Sequence, residues 1–535
     1  MMISRRNFTA LGLAAAASVM LGACSSNSSK AAIKDASADF GLQATGYPVV
    51  SKPLTLTFSG SKSALAPDYK SMALVQEWQK ATNITINWQN LADNVYQEKK
   101  NLILASGDLP DAFFNTGLSD SEVATYGTNG TLIPLEELIA KYAPNLSKLL
   151  GARPDIKAAI TSSDGHIYTL PSVEELGLVQ FPHMIAINKT WLDKVNLPVP
   201  TTIDEYHDAL LAFKTKDVAG GGKTIPLSYE PGSWCGDIVD LIAALGGIPD
   251  NADHRIVQNG KVIFTAAQPE YKKAITALNA WYKEGLIDPE SFSQDDKAYL
   301  AKGKTTTESL GSFVWWEIKE MVGENRANDY VLLPILKGAN GKRMASVSNN
   351  QEINRGAFAI TRTDKYPAAT MRWVDYLYDP VQSAQADWGS IGVTLKKDAK
   401  GILVQIPAAD STSEGERRQK VAPGGPKAIT KEDFVTVVAP EPRAAERQKI
   451  VQEMYVPYAA DKGYPPVPLS NDELQQIASI ETDVTSLTKQ KLSKWIVQGG
   501  IDAEWDGYVS QLKSIGLDKM IGTYQQAYDR FQKNS

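Results

Sequence analysis

Histidine is scarce in this chain and aromatic side chains are plentiful: four His stand against eleven Trp and 21 Tyr. Imidazole is the usual proton carrier near neutral pH and the commonest metal ligand. The chain is therefore poorly equipped for acid–base or metal chemistry and well equipped with flat apolar faces. The sequence contains no HExxH, no G-x-S-x-G and no His cluster at metal-ligand spacing. Gly220–Gly221–Gly222–Lys223–Thr224 suggests a phosphate-binding loop, but that pattern needs glycine at the position held by Asp217. The run also follows a helical pattern rather than a strand. Cys235 reads as a small buried hydrophobe. The remaining candidates belong to recognition: rings, amides and hydroxyls.

Composition bounds the partners. The formal charge of −6 and pI near 5.5 argue against a nucleic-acid or anionic-membrane surface. With 43% hydrophobic and 22% charged residues over 535 positions, the chain reads as globular and too long for one core. The N-terminus carries Arg5 and Arg6, then an apolar run from Phe8 to Met20 too short for a membrane span. Leu21–Gly22–Ala23–Cys24 follows and resembles the lipobox of bacterial lipoproteins, which implies that residues 1–23 are a signal peptide and that Cys24 carries the acyl chains. Ser4–Arg5–Arg6–Asn7–Phe8 resembles a twin-arginine export signal. With Cys24 lipidated, Cys235 has no disulfide partner. Residues 24–52, rich in Ser, Ala, Asn and Lys, read as a flexible linker to the body.

The body alternates strands and helices. Leu54–Phe58 alternates as a strand and breaks at Ser59–Gly60–Ser61; a helix runs from about Asp68 to Ala81. Ile84–Trp88, a helix through Leu102–Leu104 and the apolar Ala112–Phe114 continue the pattern, implying a mainly parallel sheet and an α/β fold. Thr202 and Glu205 form a capping box for a helix to Phe213. Glu270–Lys283 carries a helical stripe of Ala274, Ile275, Leu278, Trp281 and Tyr282. Gly311–Trp316 and Tyr330–Leu333 read as strands, and Asp379–Pro380 separates two helices. The tail from Asp472 is all-helical, and residues 394–430 read as an irregular surface insertion.

Ala105–Ser106–Gly107–Asp108–Leu109–Pro110–Asp111 resembles the ASG-x-x-PD signature of carbohydrate-type solute-binding proteins of ABC importers. Asp164–Pro171, the Asn188–Thr201 stretch, Tyr282–Glu290 (YKEGLIDPE) and Trp505–Asp506–x–Tyr508 are similar to further strings of that family, in family order, along nearly the whole mature chain. The large members include alginate-oligosaccharide binders. The resemblance implies a two-lobed Venus-flytrap with hinge crossovers and a helical C-terminal tail. Residues 53–180 and 350–395 would form lobe 1, and residues 181–349 and 396–535 lobe 2. It also implies a monomer anchored by lipid alone on the extracytoplasmic face of the cell membrane, with permease subunits as partners, an oligosaccharide ligand and no cofactor.

Sugar binding needs planar side chains over the C–H face of a pyranose, with amides and carboxylates nearby for the hydroxyls. By resemblance these groups sit on loops after strand ends. That places Ser59, Ser61, Asn115, Thr116, Tyr229, Glu230 and Trp234 in the cleft. Trp315 and Trp316 end a strand, where alternation points only one inward. Trp388 is expected at a third hinge crossing, Asn350 near the second, and His183 near the first as a satisfied hinge-side histidine. Lys216–Gly222 aligns with a calcium loop of some relatives but keeps one carboxylate, so it reads as a turn and no metal is expected. Two other functions compete with import. One is a secreted glycan-active enzyme, which would need a carboxyl pair about 5–9.5 Å apart. The other is a ligand-sensing partner of a membrane kinase.

Overall fold

Leu54, Leu56 and Phe58 alternate with exposed or half-buried threonines, and all three side chains are buried in the computed structural model of the chain. The structure describes residues 35–349, 352–408, 414–459 and 462–534. The strand does not break at Ser59. It runs as Leu54–Lys62 because Ile84–Ala92 pairs parallel to it along its whole length. Gly60 is required there: a Cβ would sit 1.7 Å from the Phe114 carbonyl oxygen.

Two sheets organise the body. The first has six strands in the order Lys427–Ile429, Leu170–Glu174, Ile353–Ile360, Ala112–Phe114, Leu54–Lys62, Ile84–Ala92. The pairings among Leu54–Lys62, Ile84–Ala92 and Ala112–Phe114 are parallel as expected, and Ile353–Ile360 is inserted antiparallel to both of its neighbours. The second has four strands in the order Tyr330–Leu332, Ile185–Asn188, Leu310–Val314, Ile225–Ser228. The expected capping box is formed, with Thr202 Oγ1 accepting from Glu205 N. Asp379 likewise caps Pro380–Trp388.

Three stretches differ from the sequence reading. Residues 35–52 are not a free linker: Val49 and Val50 are fully buried, Val49 N donates to Thr82 O at 3.0 Å, and Tyr47 packs on Tyr376 at 4.8 Å. Residues 394–430 are not a surface insertion of the second lobe. Leu395–Lys397 pairs with Leu403–Gln405, and Lys427–Ile429 joins the first sheet parallel to Leu170–Glu174. The third passage between sheets therefore follows Ile429 instead of lying at Gly389.

After that passage the Pro442–Met454 helix packs Ala444 and Val451 against Phe181, Met184, Ile335 and Ala345, on the two earlier passages. The tail helices Asn471–Gln498, Ile501–Ile515 and Leu517–Asn534 cover the Pro269–Lys283 helix, with Trp495 edge-on to Tyr508 at 4.9 Å. Among the described residues no helix is long and apolar enough to cross a membrane.

Candidate functional site

The Pro380–Trp388 helix stops at Gly389 (φ 95°), which leaves Trp388 half-buried at its C-terminal end. Beneath it, Asp387 is buried and ion-paired with both Arg418 and Lys427. Glu174 takes the same two cations at 3.0 and 3.4 Å. Burial alone would raise the Glu174 carboxyl, but Arg418 and Lys427 outweigh it and hold the group at about 2. The Arg418 guanidinium lies 5.5 Å from the Trp388 ring centroid, and Phe434 meets that ring edge-on at 6.0 Å. The indole is thus clamped in one orientation.

A cavity of about 110 Å³ opens beside it, lined by Trp388, Thr394, Gln405, Arg417, Arg418, Glu441 and Arg443. Neither amide atom of Gln405 has a hydrogen-bond partner, although both are buried. Arg443 crosses to the second lobe, reaching Glu317 at 3.4 Å and Glu320 at 3.5 Å, and Arg447 lies 4.5 Å over the Trp316 ring. Arg443 thus ties the rim of the cavity to the segment that follows Leu310–Val314 of the second sheet. Burial pushes the Glu317 carboxyl above its usual range, against the pull of Arg443 and Arg447.

On the second-lobe wall, Trp316 is half-buried, whereas Trp315 is 4% exposed and packs on Tyr299 at 5.6 Å. The loop after Ile225–Ser228 takes its shape from Asp237, whose carboxylate accepts from Gly232 N and Ile238 N, both at 2.7 Å. That loop leaves Trp234 56% exposed. Glu230 is partly buried beside Asp296, and burial, then the hydrogen bond with Asp296 and the charge of that group, raises its carboxyl to about 7. Cys235 is fully buried, and its thiol is pushed up to about 12 by burial. His183 is buried and accepts from Asp237 N at 3.3 Å, with burial lowering it to about 4.

Four expected site residues are withdrawn from the accessible surface. Ser59 is fully buried within the extended strand, its hydroxyl 3.3 Å from Gln89 O. Thr116 is 4% exposed and bonded to the Tyr96 hydroxyl at 3.0 Å. Tyr229 is 1% exposed and edge-on to Phe292, and Trp315 is buried as described. Ser61 and Asn115 remain half-buried, joined by an Asn115 Nδ2–Ser61 O contact of 3.4 Å. Ser63 Oγ donates to Gln419 Oε1, which links these strand ends to the helix bearing Arg417 and Arg418. Asn350 and Cys24 lie outside the described residues. Sequence reasoning missed Gln405, Arg417, Arg418, Arg443, Arg447 and Glu317. The available signals were the Arg417–Arg418 pair and the i, i+4 spacing of Arg443 and Arg447 on one helix.

The sequence profile of the bacterial extracellular solute-binding proteins matches residues 63–384, more than half of the chain. The chain belongs to this family. The fructooligosaccharide ABC transporter substrate-binding protein FusA of Streptococcus pneumoniae serotype 4 (strain ATCC BAA-334 / TIGR4) is 36% identical over 538 residues, covering 98% of each chain. The solved structure of S. pneumoniae FusA in complex with kestose matches with a TM-score of 0.79 at 37% identity, over 90% of this chain and 100% of that one. Alginate-binding AlgQ2, at 24% identity and a TM-score of 0.67 over 93% of this chain and 100% of its own, shares the fold.

One solved FusA structure is of an EF-hand mutant, which raises the question of a cation in this chain. The residues of the Lys216–Gly222 turn do not fit one. Asp217 is its one carboxylate, and its two oxygens accept from Gly222 N and Thr224 Oγ1, both at 2.7 Å. Calcium takes six to eight oxygens. Gly220, Gly221 and Gly222 all adopt positive φ to close the turn.

Proposed function

We propose that this solute-binding protein is the lipid-anchored receptor of an ABC importer, capturing an uncharged oligosaccharide between its lobes and handing it to permease subunits. The cavity beside Trp388 carries the reading: an indole face fixed by Arg418, with the unpartnered Gln405 amide alongside. A pyranose or furanose ring offers C–H groups to the first and hydroxyls to the second. Trp388, Trp316, Trp234, Asn115 and Ser61 are the residues we assign to ligand contact. The relationship to FusA supports an oligosaccharide of the fructan class.

The charge of the wall supports a neutral ligand. Five cations (Arg417, Arg418, Lys427, Arg443 and Arg447) stand among five carboxylates (Glu174, Asp387, Glu317, Glu320 and Glu441). No net positive field is left to draw a uronate. Closure of the lobes on a ligand changes the surface offered to a permease, and no covalent step is required. Cys24 supplies the tether in this reading, and the chain works as a monomer.

Calorimetric titration of the mature chain with kestose, nystose and an oligouronate tests the proposal. Binding of the neutral sugars and not the uronate is the expected result. Absence of heat with every sugar overturns it, and hydrolysis of the neutral sugars would replace the receptor with an enzyme.

A further inference from the structure

A second cavity, of about 260 Å³, shares no lining residue with the one beside Trp388. All of its lining residues fall between Glu230 and Gln294 or between Glu481 and Ser493, the latter on the Asn471–Gln498 helix. It borders the loop that carries Trp234: Pro231 and Gly232 line it, and Lys489 of the helix lies against Gly232.

Two acceptors on its walls are left without a partner. Glu230 Oε2 and Gln294 Oε1 both line the cavity and are both buried without a partner. The Gln294 amide nitrogen is bonded to Tyr229 O at 2.9 Å, which fixes the carbonyl oxygen as the end left over. A buried unpaired acceptor is costly, so two on one wall call for something that donates to them. The other carboxylates there are already engaged. Asp237 holds two loop N–H groups, Glu481 takes Tyr524 and Arg255, and Asp253 takes Asn349. Lys489 also lines the cavity, so an ammonium there would meet a like charge. Phe264 and Phe292 add apolar faces to the lining. A water occupies about 30 Å³ of liquid, so the space holds several waters or one ring of their combined size. Unpaired acceptors beside aromatic faces are the combination that binds a hydroxylated ring.

We propose that this cavity is a second binding pocket, separate from the cavity beside Trp388, that takes a single hydroxylated ring such as a monosaccharide or cyclic polyol. The Glu230 and Gln294 oxygens accept from its hydroxyls, and the adjoining Trp234 reports its arrival.

The test titrates the full chain with D-fructose, D-glucose and myo-inositol, following heat and tryptophan emission. Thr485→Phe plugs the wall from an exposed helix position that tolerates the change, and Gln294→Leu removes one acceptor. Trp388→Ala serves as the cleft control. Binding of at least one probe, weakened tenfold or more by both cavity variants and unchanged in Trp388→Ala, is the expected result. No binding by any probe, equal binding by Thr485→Phe, or loss of binding in Trp388→Ala each overturns the proposal. Kestose affinity of the same variants is read separately, so failure of the oligosaccharide reading leaves this comparison intact.

Discussion

The guanidinium of Arg418 lies over the Trp388 indole, 5.5 Å from its centroid, while pairing with Asp387, the residue immediately before that tryptophan. One planar group thereby fixes both the ring and the helix end that bears it, which an ammonium cannot reproduce. Trp388→Ala should weaken kestose binding by about 2 kcal/mol, roughly thirtyfold. Arg418→Lys keeps the charge but loses the stacked fork, and should cost about 1 kcal/mol, roughly fivefold. Calorimetry on both variants checks this, and wild-type affinity in Arg418→Lys would show that the ring needs no clamp.

Gln405 separates binding from folding. Both of its amide atoms are buried without partners, so the unliganded fold gains nothing from them and bears their desolvation. Gln405→Ala should leave the melting temperature unchanged or slightly higher while reducing kestose affinity by about 1 kcal/mol, roughly fivefold. A lower melting temperature with unaltered affinity would assign the amide to the fold instead.

Local signals in the chain read well and long-range ones did not. The alternation of Leu54, Leu56 and Phe58, the Thr202–Glu205 capping box, the Asp379 cap and the Ala274–Ile275–Leu278 stripe all lie within a few residues of their own cause. Val49 and Val50 are buried by a chain segment more than thirty residues on, at Thr82, and Tyr47 by Tyr376; no window over 35–52 contains those partners. Lys427–Ile429 is three residues long, too short for any periodicity, and owes its strand to Ser172–Glu174. In the site, Trp234, Trp316 and Trp388 stood out as aromatic residues on loops or element ends. Gln405, Arg418 and Arg443 did not, because a polar residue facing a cleft has the same sequence signature as one facing solvent. Ser59 and Thr116 were misplaced because the register with Ile84–Ala92 extends the strand and the Tyr96 hydroxyl takes up the threonine.

The Asp217 turn predicts indifference to calcium. With Gly222 N and Thr224 Oγ1 on its two oxygens, the loop is closed by the chain itself. Those bonds, the Gly222 amide foremost, also hold the Asp217 carboxyl below its usual range. Millimolar calcium or EDTA should leave the melting temperature unchanged, and Asp217→Ala should lower it by a few degrees in either condition. A rise with calcium in the wild type would mean that the turn opens to bind the ion.

Stability should fall from mildly acid to mildly alkaline pH. Asp240 accepts from Ser346 N at 2.8 Å, and burial raises its carboxyl to about 7; burial raises Glu352 and Asp364 to about 7 as well. A carboxyl whose folded value is raised contributes stability fully below its unfolded value, near 4, and loses it as pH rises through the folded value. Glu174, held at about 2, acts oppositely: its contribution is present above its unfolded value and lost as pH falls toward 2. The melting temperature should therefore peak near pH 4 and decline by pH 8, with Asp240→Asn flattening the decline. A profile that climbs from pH 5 to pH 8 would contradict this assignment.

If Cys24 anchors the chain as proposed, the packing of residues 35–52 limits how far the body can stand from that anchor. If the free segment ran from Cys24 to residue 52, the body could stand about 100 Å from the acylated end; with the chain fixed from Asp35, full extension reaches only about 40 Å. With that proposed anchor, capture would stay close to the surface where a permease would receive the ligand. Each acyl chain adds about 0.8 kcal/mol per buried CH₂, and stable anchoring takes two signals, so loss of the cysteine should be decisive. Cys24→Ala should move the protein from the membrane fraction to the soluble fraction while leaving kestose affinity in solution unchanged. Retention in the membrane fraction would place the anchor elsewhere, and lost affinity would show that the N-terminal segment contributes to the cleft as well as holding it in place.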